Sequence, residues 1–255
     1  MMRYNITLVL SVILLISCRH NYTHNLTSQE LIQVSDSIDS DFSIEEFLTP
    51  YRDSLEAEIN VIIGKNREEM SSYKPESPLS SFVVDIIMNK GIEFLKESNT
   101  PDADNPAIAI MNVRGLRTSL KAGEIKVGDI FEVMPFENSL TALYLKGEDM
   151  ELLFEHIAKA QGDGLSGAVC TLTSDGMEDI KIAGQPLNKD KHYWVFAPDY
   201  LANGGDSYFI LQNSLKVLES NYKIRDLIIA HIKQQSSKGM EITPDLSIRI
   251  TDKRK

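Results

Sequence analysis

The chain has 255 residues, a formal net charge of -11 and a sequence pI of about 5.0. This acidity argues against nucleic-acid binding, because no basic stripe offsets the repulsion of the phosphates. The 2 cysteines, Cys18 and Cys170, are too few for a disulfide framework or a cysteine metal cluster. We expect Cys170, which lies in an apolar segment, to be a buried and inert thiol.

The first residues have the pattern of an export signal. A positive charge precedes an apolar run, Ile6–Ile16, which is too short for a membrane-spanning helix. The run ends in Leu15-Ile16-Ser17-Cys18, which resembles the lipobox of bacterial lipoproteins. We therefore predict a signal peptide over 1–17, lipid attachment at Cys18 and a polar tether over 18–41. The protein would be exported and anchored to a bacterial membrane, facing the periplasm or the cell surface. An ordinary secretory signal is the alternative.

Residues 42–255 are expected to form one domain, whose first half contains two helices and two strands. Helical spacing of apolar residues predicts a helix over Glu45–Glu58, and an apolar run ending in glycine predicts a strand over Ile59–Gly64. Ser77-Pro78 is a favourable helix start, with an N-cap followed by proline at the first helical position. The continuous apolar run Ala107–Met111 predicts a buried central strand.

The second half alternates strands and helices irregularly. The predicted elements are a strand Leu140–Leu145, a helix from Gly147, strands Val169–Thr173, Ile180–Ile182 and Tyr193–Ala197, a helix Tyr222–Gln234 and a closing strand Leu246–Ile248. Several of these strands are expected to be antiparallel neighbours. We therefore predict an α+β fold, a single domain with a mixed sheet and packed helices.

One loop after a predicted strand has the composition of a binding site. Tyr200 and Asp206 stand six residues apart and are separated by Gly204-Gly205. An aromatic face can stack on a planar ring, and a carboxylate can accept hydrogen bonds from two sugar hydroxyls. Paired glycines let the chain turn tightly and let a ligand approach the backbone. Taken alone, the segment could also be a plain turn.

The order of four polar motifs indicates a family. The motifs are Asn112-x-x-Gly115-x-Arg117, Gly123-Glu124-Ile125 with Gly128-Asp129, Pro135-Phe136-x-Asn138 and Tyr200-Leu201-Ala202-x-Gly204-Gly205-Asp206. The series resembles the C-terminal, substrate-binding domain of the 5′-nucleotidase family, which includes UDP-sugar hydrolases and 2′,3′-cyclic phosphodiesterases. In that family the C-terminal domain holds the nucleotide, and a separate N-terminal domain carries two metal ions and performs the hydrolysis.

The resemblance implies roles for two aromatic residues and one acid. Phe136 and Tyr200 stand at the positions of the two rings that sandwich the base, and Asp206 matches the carboxylate that binds the ribose hydroxyls. Stacking of this kind contributes about 1–3 kcal/mol per base and tolerates several bases. The alternative for Phe136 is a simple core side chain.

Three further residues match ligand contacts of the same family. Asn112 and Arg117 match residues that hold the ligand near its phosphate and ribose, and Asn138 matches a side chain at the base edge. A planar guanidinium suits phosphate because it can bond two oxygens at once. Alternatively, Arg117 pairs with Glu124 or Asp129, and Asn112 only ties its own loop together.

The chain also departs from the family pattern at two places. Val113 and Arg114 replace the glycines that usually follow Asn112, so Arg114 either adds a phosphate contact or blocks the pocket. Lys74 stands near a position where the family tends to carry an arginine, and is a candidate for the phosphate contact that is otherwise lost.

The sequence lacks the motifs of the family's catalytic half, which are Asp-x-His, Asn-His-Asp/Glu and His-x-His. None of the 5 histidines forms such a set, so we predict no metal ligands, no catalytic residues and no cofactor in this chain. Divalent metals are expected only in a partner. The leading hypothesis is a nucleotide-binding half that works with a separate metallophosphoesterase chain. The alternatives are a partner-free surface protein that binds nucleosides or nucleotides, and a degenerate domain kept for protein contact.

Overall fold

The computed structural model describes Ser35 and residues 38–254. The predicted signal peptide of residues 1–17, Cys18 and most of the predicted tether lie outside these residues, and remain predictions. The chain divides into two units, Met1–Leu48 and Thr49–Lys255. The second unit contains every strand of the described residues.

The described helices and strands follow one another irregularly along the chain. The helices are α1 (Phe42–Ile59), α2 (Pro78–Glu97), α3 (Val127–Val133), α4 (Gly147–Lys159), α5 (Asp199–Ala202) and α6 (Ile224–Ser237). The strands are β1 (Ile62–Asn66), β2 (Ala107–Met111), β3 (Gly123–Lys126), β4 (Ser139–Lys146), β5 (Gly164–Ser166), β6 (Ala168–Leu172), β7 (Met177–Ile182), β8 (Gln185–Pro186), β9 (His192–Pro198), β10 (Lys216–Lys223) and β11 (Ile250–Asp252). Short 3₁₀ turns occupy Val113–Gly115, Gly205–Ser207 and Phe209–Asn213.

A mixed sheet forms the centre of the second unit. Its strand order is β10-β4-β9-β2-β5. Strands β2 and β9 run parallel, and all other neighbours in this sheet are antiparallel. Two smaller sheets, β1-β3 and β11-β6-β7-β8, accompany it. These mixed sheets and their covering helices confirm the predicted α+β class.

Both faces of the central sheet are buried, which explains the continuous apolar runs of its strands. One face packs on α2 and α6 through Ala109, Met111, Ala142, Tyr144, Trp194 and Phe196. The opposite face packs on α4 and on the four-stranded sheet through Ile108, Ile110, Leu143, Leu145, Tyr193, Val195 and Ala197. Neighbouring residues on a strand therefore serve two separate cores.

Several sequence predictions are confirmed closely. Strand β2 has the predicted bounds, and α2 begins as expected after Ser77, whose side chain and that of Ser80 form a reciprocal capping box. The helix predicted over Glu45–Glu58 is α1, although it begins earlier because Asp41 accepts a hydrogen bond from the backbone of Ser43. None of the residues of α1 is buried.

The first predicted strand was misplaced. Ile59 ends α1, and the strand begins at Ile62 and continues through Gly64 to Asn66. A Cβ on Gly64 would lie 2.6 Å from Cγ2 of Ile232 in α6. The glycine therefore permits close packing of a helix on the strand and does not end the strand.

The predicted closing strand over Leu246–Ile248 was also wrong. Leu246 and Ile248 are 65% and 70% exposed, and the strand forms at Ile250–Asp252 instead. Ile250 is buried and pairs in parallel register with Cys170. Arg249, which immediately precedes this strand, is held by several bonds and so fixes where the strand starts.

Cys170 is a buried free thiol, as predicted. Burial raises the pKa of this thiol to about 12, so it stays protonated at neutral pH. No helix among the described residues has the length and apolar character needed to cross a membrane.

Candidate ligand-binding cleft

Three loops meet at one edge of the central sheet. Because β2 and β9 are parallel and β4 is antiparallel to β9, the ends of β2 and β9 and the start of β4 lie at the same edge. Asn112 follows β2 directly, Asn138 precedes β4, and Tyr200 lies in α5 immediately after β9. The sheet thus gathers residues from distant parts of the chain.

The three loops enclose a cleft of about 300 Å³. It is lined by Asn112, Arg114, Gly115, Arg117, Phe136, Asn138, Tyr200 and Asp206. The structure therefore brings the six residues predicted to contact a ligand, together with Arg114, to one place. Phe136 and Tyr200 are 47% and 45% exposed and line the cleft, so neither is a simple core residue.

A chain of hydrogen bonds connects two walls of the cleft. Nδ2 of Asn112 donates to Oδ2 of Asp206 over 2.7 Å, so Asn112 does more than tie its own loop together. The hydroxyl of Tyr200 donates to Oδ1 of Asp206 over 3.0 Å and accepts from the backbone N–H of Asp206. These bonds orient both carboxylate oxygens of Asp206.

Glycine is favoured at positions 204 and 205, between Tyr200 and Asp206, for two different physical reasons. Gly204 has a φ of 89°, in the left-handed region that favours glycine. Gly205 is required by space, because a Cβ there would lie 2.5 Å from both Cζ and the carbonyl oxygen of Tyr200. Asp206 itself has a φ of 47°, a strained conformation for a residue with a side chain.

Arg114 and Arg117 are exposed guanidiniums on the cleft wall. In the described part of the chain, neither has a carboxylate within salt-bridge distance, so the alternative pairing of Arg117 with Glu124 or Asp129 does not occur. Nη1 of Arg117 donates weakly to the carbonyl of Arg114 over 3.4 Å. The backbone N–H of Arg117 donates to Val133, which anchors the loop. Both cations are thus available to an anionic ligand.

The loop Pro135–Asn138 is braced from behind by two cations. Nη1 of Arg225 donates to the carbonyl of Pro135 over 3.3 Å, and Nζ of Lys223 donates to the carbonyl of Glu137 over 3.0 Å. Arg225 is 7% exposed. These contacts hold the loop that carries one aromatic wall of the cleft.

Lys74 does not line the cleft. Its Nζ lies 3.4 Å from Oδ1 of the buried Asp163 and also donates to the carbonyl of Ala160. Asp163 in turn accepts hydrogen bonds from Val113, which follows Asn112, and from Tyr208, which lies two residues after Asp206. Sequence reasoning missed Asp163 and Tyr208, because only the fold brings them next to Lys74.

The described histidines have structural surroundings. The ring of His156 packs edge-on against Tyr208 at 4.2 Å, and His192 stacks on Tyr144 at 5.3 Å. Burial lowers the pKa of His156 and His231, which favours their neutral forms. Within residues that the structure describes, no group of three or more His, Cys, Asp or Glu side chains is arranged to hold a metal ion.

Substituting Gly205 by alanine is expected to damage the cleft. The added Cβ would collide with the ring and backbone of Tyr200, so the ring must move away from its hydrogen bonds with Asp206. Overpacking of this kind costs about 1–3 kcal/mol of unfolding free energy. Thermal unfolding and ligand titration would measure both effects. Gly184→Ala, at a positive φ with open space around it, is the control and should leave ligand affinity unchanged.

Comparison with known families matches residues 56–213 to the 5′-nucleotidase C-terminal domain. This match covers more than half of the chain, and the chain therefore belongs to that family. It is 27% identical over 194 residues to Protein UshA of Yersinia enterocolitica, and the aligned region covers 71% of this chain and 32% of that protein. It is 26% identical over 180 residues to a 5′-nucleotidase of Vibrio vulnificus, and that aligned region covers 69% of this chain and 31% of the relative.

A solved structure supports the same fold. The 5′-nucleotidase precursor from Thermus thermophilus superposes with a TM-score of 0.66 at 21% identity, covering 83% of this chain and 43% of that chain. The chain spans about a third of the length of the two curated relatives named above, Protein UshA and the 5′-nucleotidase of Vibrio vulnificus. The resemblance stated from the motifs is confirmed at the level of the family and of the fold.

Proposed function

We propose that this chain is the nucleotide-binding half of a 5′-nucleotidase-type phosphohydrolase in nucleotide catabolism. A separate metallophosphoesterase chain supplies the divalent metals and the hydrolytic water. The observation that carries the proposal is the cleft, which has a volume of about 300 Å³. It is lined by two half-exposed aromatic rings, by one oriented carboxylate and by two cations that have no carboxylate partner among the described residues. That volume is at the lower end of the range of small-molecule sites.

The base is the part of the ligand that the aromatic walls recognise. Phe136 comes from the loop before β4 and Tyr200 from the short helix α5 after β9, and both line the cleft. A planar base between them gains stacking and burial without a need for a particular hydrogen-bond pattern. Asn138, on the same loop as Phe136, lines the cleft and contacts the base edge in this proposal.

The sugar and phosphate are held by polar groups at the other loops. Asp206 has its carboxylate fixed by Asn112 and Tyr200, and it accepts hydrogen bonds from the ribose hydroxyls. Arg117 and Arg114 bind the phosphate by charge and by the planar fork of each guanidinium. Such positioning contributes to catalysis even though this chain carries none of the reacting groups.

Arg114→Gly restores the glycine that the family usually has at this position and tests the role of the extra cation. Because Arg114 lines the cleft without a carboxylate partner among the described residues, we expect its loss to weaken AMP binding about tenfold, as for a lost hydrogen bond to a charged group. Adenosine, which lacks the phosphate, should bind equally well to both forms. Tighter AMP binding by the variant would show instead that Arg114 blocks the pocket.

Reconstitution tests the division of labour. A metallophosphoesterase that co-purifies with this chain would be assayed with AMP, a UDP-sugar and a 2′,3′-cyclic nucleotide, together with and without this chain. We expect hydrolysis by the pair and none by this chain alone. Adding Asp206→Ala in place of the unmodified chain should lower the rate. Hydrolysis by this chain alone would overturn the proposal.

Two other outcomes correspond to the alternatives. Micromolar binding of nucleosides or nucleotides with no partner recovered would indicate a partner-free binding protein. An absence of ligand affinity, with no effect of Tyr200→Ala on a recovered partner, would indicate a domain kept for protein contact. Export and lipid attachment at Cys18 belong to the same proposal, and mass spectrometry of the mature N-terminus would test them.

A further inference from the structure

Asp163 is a buried carboxylate that joins three segments of the chain. It is 3% exposed. Its Oδ1 accepts a hydrogen bond of 3.0 Å from the backbone N–H of Val113, and its Oδ2 accepts one of 2.6 Å from the hydroxyl of Tyr208. Nζ of Lys74 lies 3.4 Å from Oδ1. We call Lys74, Val113, Asp163 and Tyr208 the Asp163 cluster.

Two members of the Asp163 cluster lie within two residues of the cleft residues along the chain. Val113 lies between Asn112 and Arg114, and Tyr208 lies two residues after Asp206. Asn112 also donates a hydrogen bond of 2.7 Å to Asp206, so the two loops are connected twice: once through Asp163 and once directly. Asp163 holds the two loops together away from the cleft, and the bond between Asn112 and Asp206 holds them together at the cleft.

The Asp163 cluster surrounds the buried carboxylate with groups that compensate its burial. Burying a carboxylate is unfavourable unless cations and donors compensate it, and here one ammonium and two donors do so. Burial and the neighbouring Asp163 raise the pKa of Tyr208 well above its usual value, so its hydroxyl remains a donor. Hydrogen bonds to a charged acceptor are stronger than neutral ones, which suits a fixed joint between loops.

The loop that the cluster holds needs such a constraint. Asp206 and Ser207 have φ values of 47° and 65°, and residues with side chains keep these conformations only where the surroundings impose them. Tyr208 follows immediately, and its buried ring packs against His156. A fixed Tyr208 therefore fixes the direction in which Asp206 points.

We propose that Asp163 is a positioning residue of the nucleotide cleft, with Lys74 balancing its charge, and that it acts through Val113 and Tyr208 on Arg114 and Asp206. The proposal rests on the proposed function, because it concerns the same site. Asp163 does not line the cleft, so it contributes to affinity only by holding the two loops.

The experiment compares two carboxylates in the full chain. Asp163→Asn and Tyr208→Phe remove the charge and the hydroxyl of the cluster. Asp85→Asn is the matched control, because Asp85 also accepts from a hydroxyl, Ser166 at 2.6 Å, and from a cation, Arg249 at 2.7 Å, and does not line the cleft. For each variant, AMP affinity is measured by calorimetry, stability by denaturant unfolding, and backbone motion by amide hydrogen exchange.

We expect Tyr208→Phe to weaken AMP binding about tenfold, Asp163→Asn to weaken it more, and Asp85→Asn to leave it unchanged while lowering stability. Exchange should accelerate at residues 113–115 and 206–208 only in the two cluster variants. Equal affinities in all variants, or equal exchange at these residues, would overturn the proposal. If the unmodified chain binds neither AMP nor a UDP-sugar nor a 2′,3′-cyclic nucleotide, the proposed function fails, and the exchange readout still decides whether Asp163 holds the two loops. Tyr208→Phe, the milder change, serves if Asp163→Asn does not fold.

Discussion

Replacing Tyr200 by alanine is expected to weaken nucleotide binding about 5- to 150-fold. The ring is 45% exposed on the cleft wall, and losing base–aromatic stacking removes about 1–3 kcal/mol of binding free energy. The substitution also removes the hydroxyl that donates to Oδ1 of Asp206 over 3.0 Å. Calorimetric titration with AMP measures the loss. The unfolding free energy should change little, because the ring is not part of the buried core.

Tyr200→Phe separates the ring from its hydroxyl. It keeps the stacking face and removes only the bonds with Asp206, so we expect a loss smaller than that of the alanine variant and about tenfold, near the lower limit for one hydrogen bond to a charged group. If alanine and phenylalanine at this position bind AMP equally, stacking on Tyr200 contributes nothing. If both bind as tightly as the unmodified chain, Tyr200 is not a ligand contact.

Arg249→Met should cause the largest loss of stability among the changes considered. Arg249 is 7% exposed; its Nη2 donates to Asp85 over 2.7 Å and its Nη1 donates to the carbonyl of Leu165 over 2.9 Å. Methionine fills much of the space but removes the cation from Asp85 and one donor from the carbonyl of Leu165. Breaking a buried ion pair costs about 3–5 kcal/mol, and we expect about 3 kcal/mol because the side chain of Asp85 is 31% exposed. Denaturant unfolding measures the change.

Lys189→Met is the control for this prediction. Nζ of Lys189 lies 2.6 Å from Glu151, as close as the buried pair, but the two side chains are 58% and 44% exposed. Solvent weakens exposed pairs, so the expected change is below about 1 kcal/mol. Similar losses in both variants would contradict the view that Arg249 secures the C-terminal segment from the interior. AMP affinity should be unaffected by either change, because neither residue lines the cleft.

The fold could be predicted where a local pattern and the tertiary structure require the same conformation. The apolar run Ala107–Met111 became β2 with the predicted bounds because both faces of the central sheet are buried. The closing strand could not be located in this way, since Leu246–Ile248 is as apolar as a strand. Its true position depends on the distant partners of Arg249, and no local pattern in the sequence reveals them.

The cleft residues were predictable because four polar motifs follow one another along this chain in an order that resembles the family's. Phe136 and Tyr200 could be matched by position, and the antiparallel pairing of β4 with β9 then brings the start of β4 and the end of β9 to one edge. The supporting residues were not predictable. Lys74 was a candidate for a phosphate contact, but it lies against Asp163, whose other partners come from two further segments of the chain. The run Gly162-Asp163-Gly164 gives no sign that its acid is buried.

Titration of the isolated chain with AMP in the presence of a metal chelator tests most directly the claim that this chain holds the nucleotide by itself. Phe136, Tyr200, Asp206 and Arg117 provide the main contacts in the proposed site, and none of them requires a metal. We predict saturable binding at a single site that the chelator does not weaken and that the double variant Phe136→Ala, Tyr200→Ala abolishes. An absence of binding to the unmodified chain, or undiminished binding to the double variant, would contradict the claim.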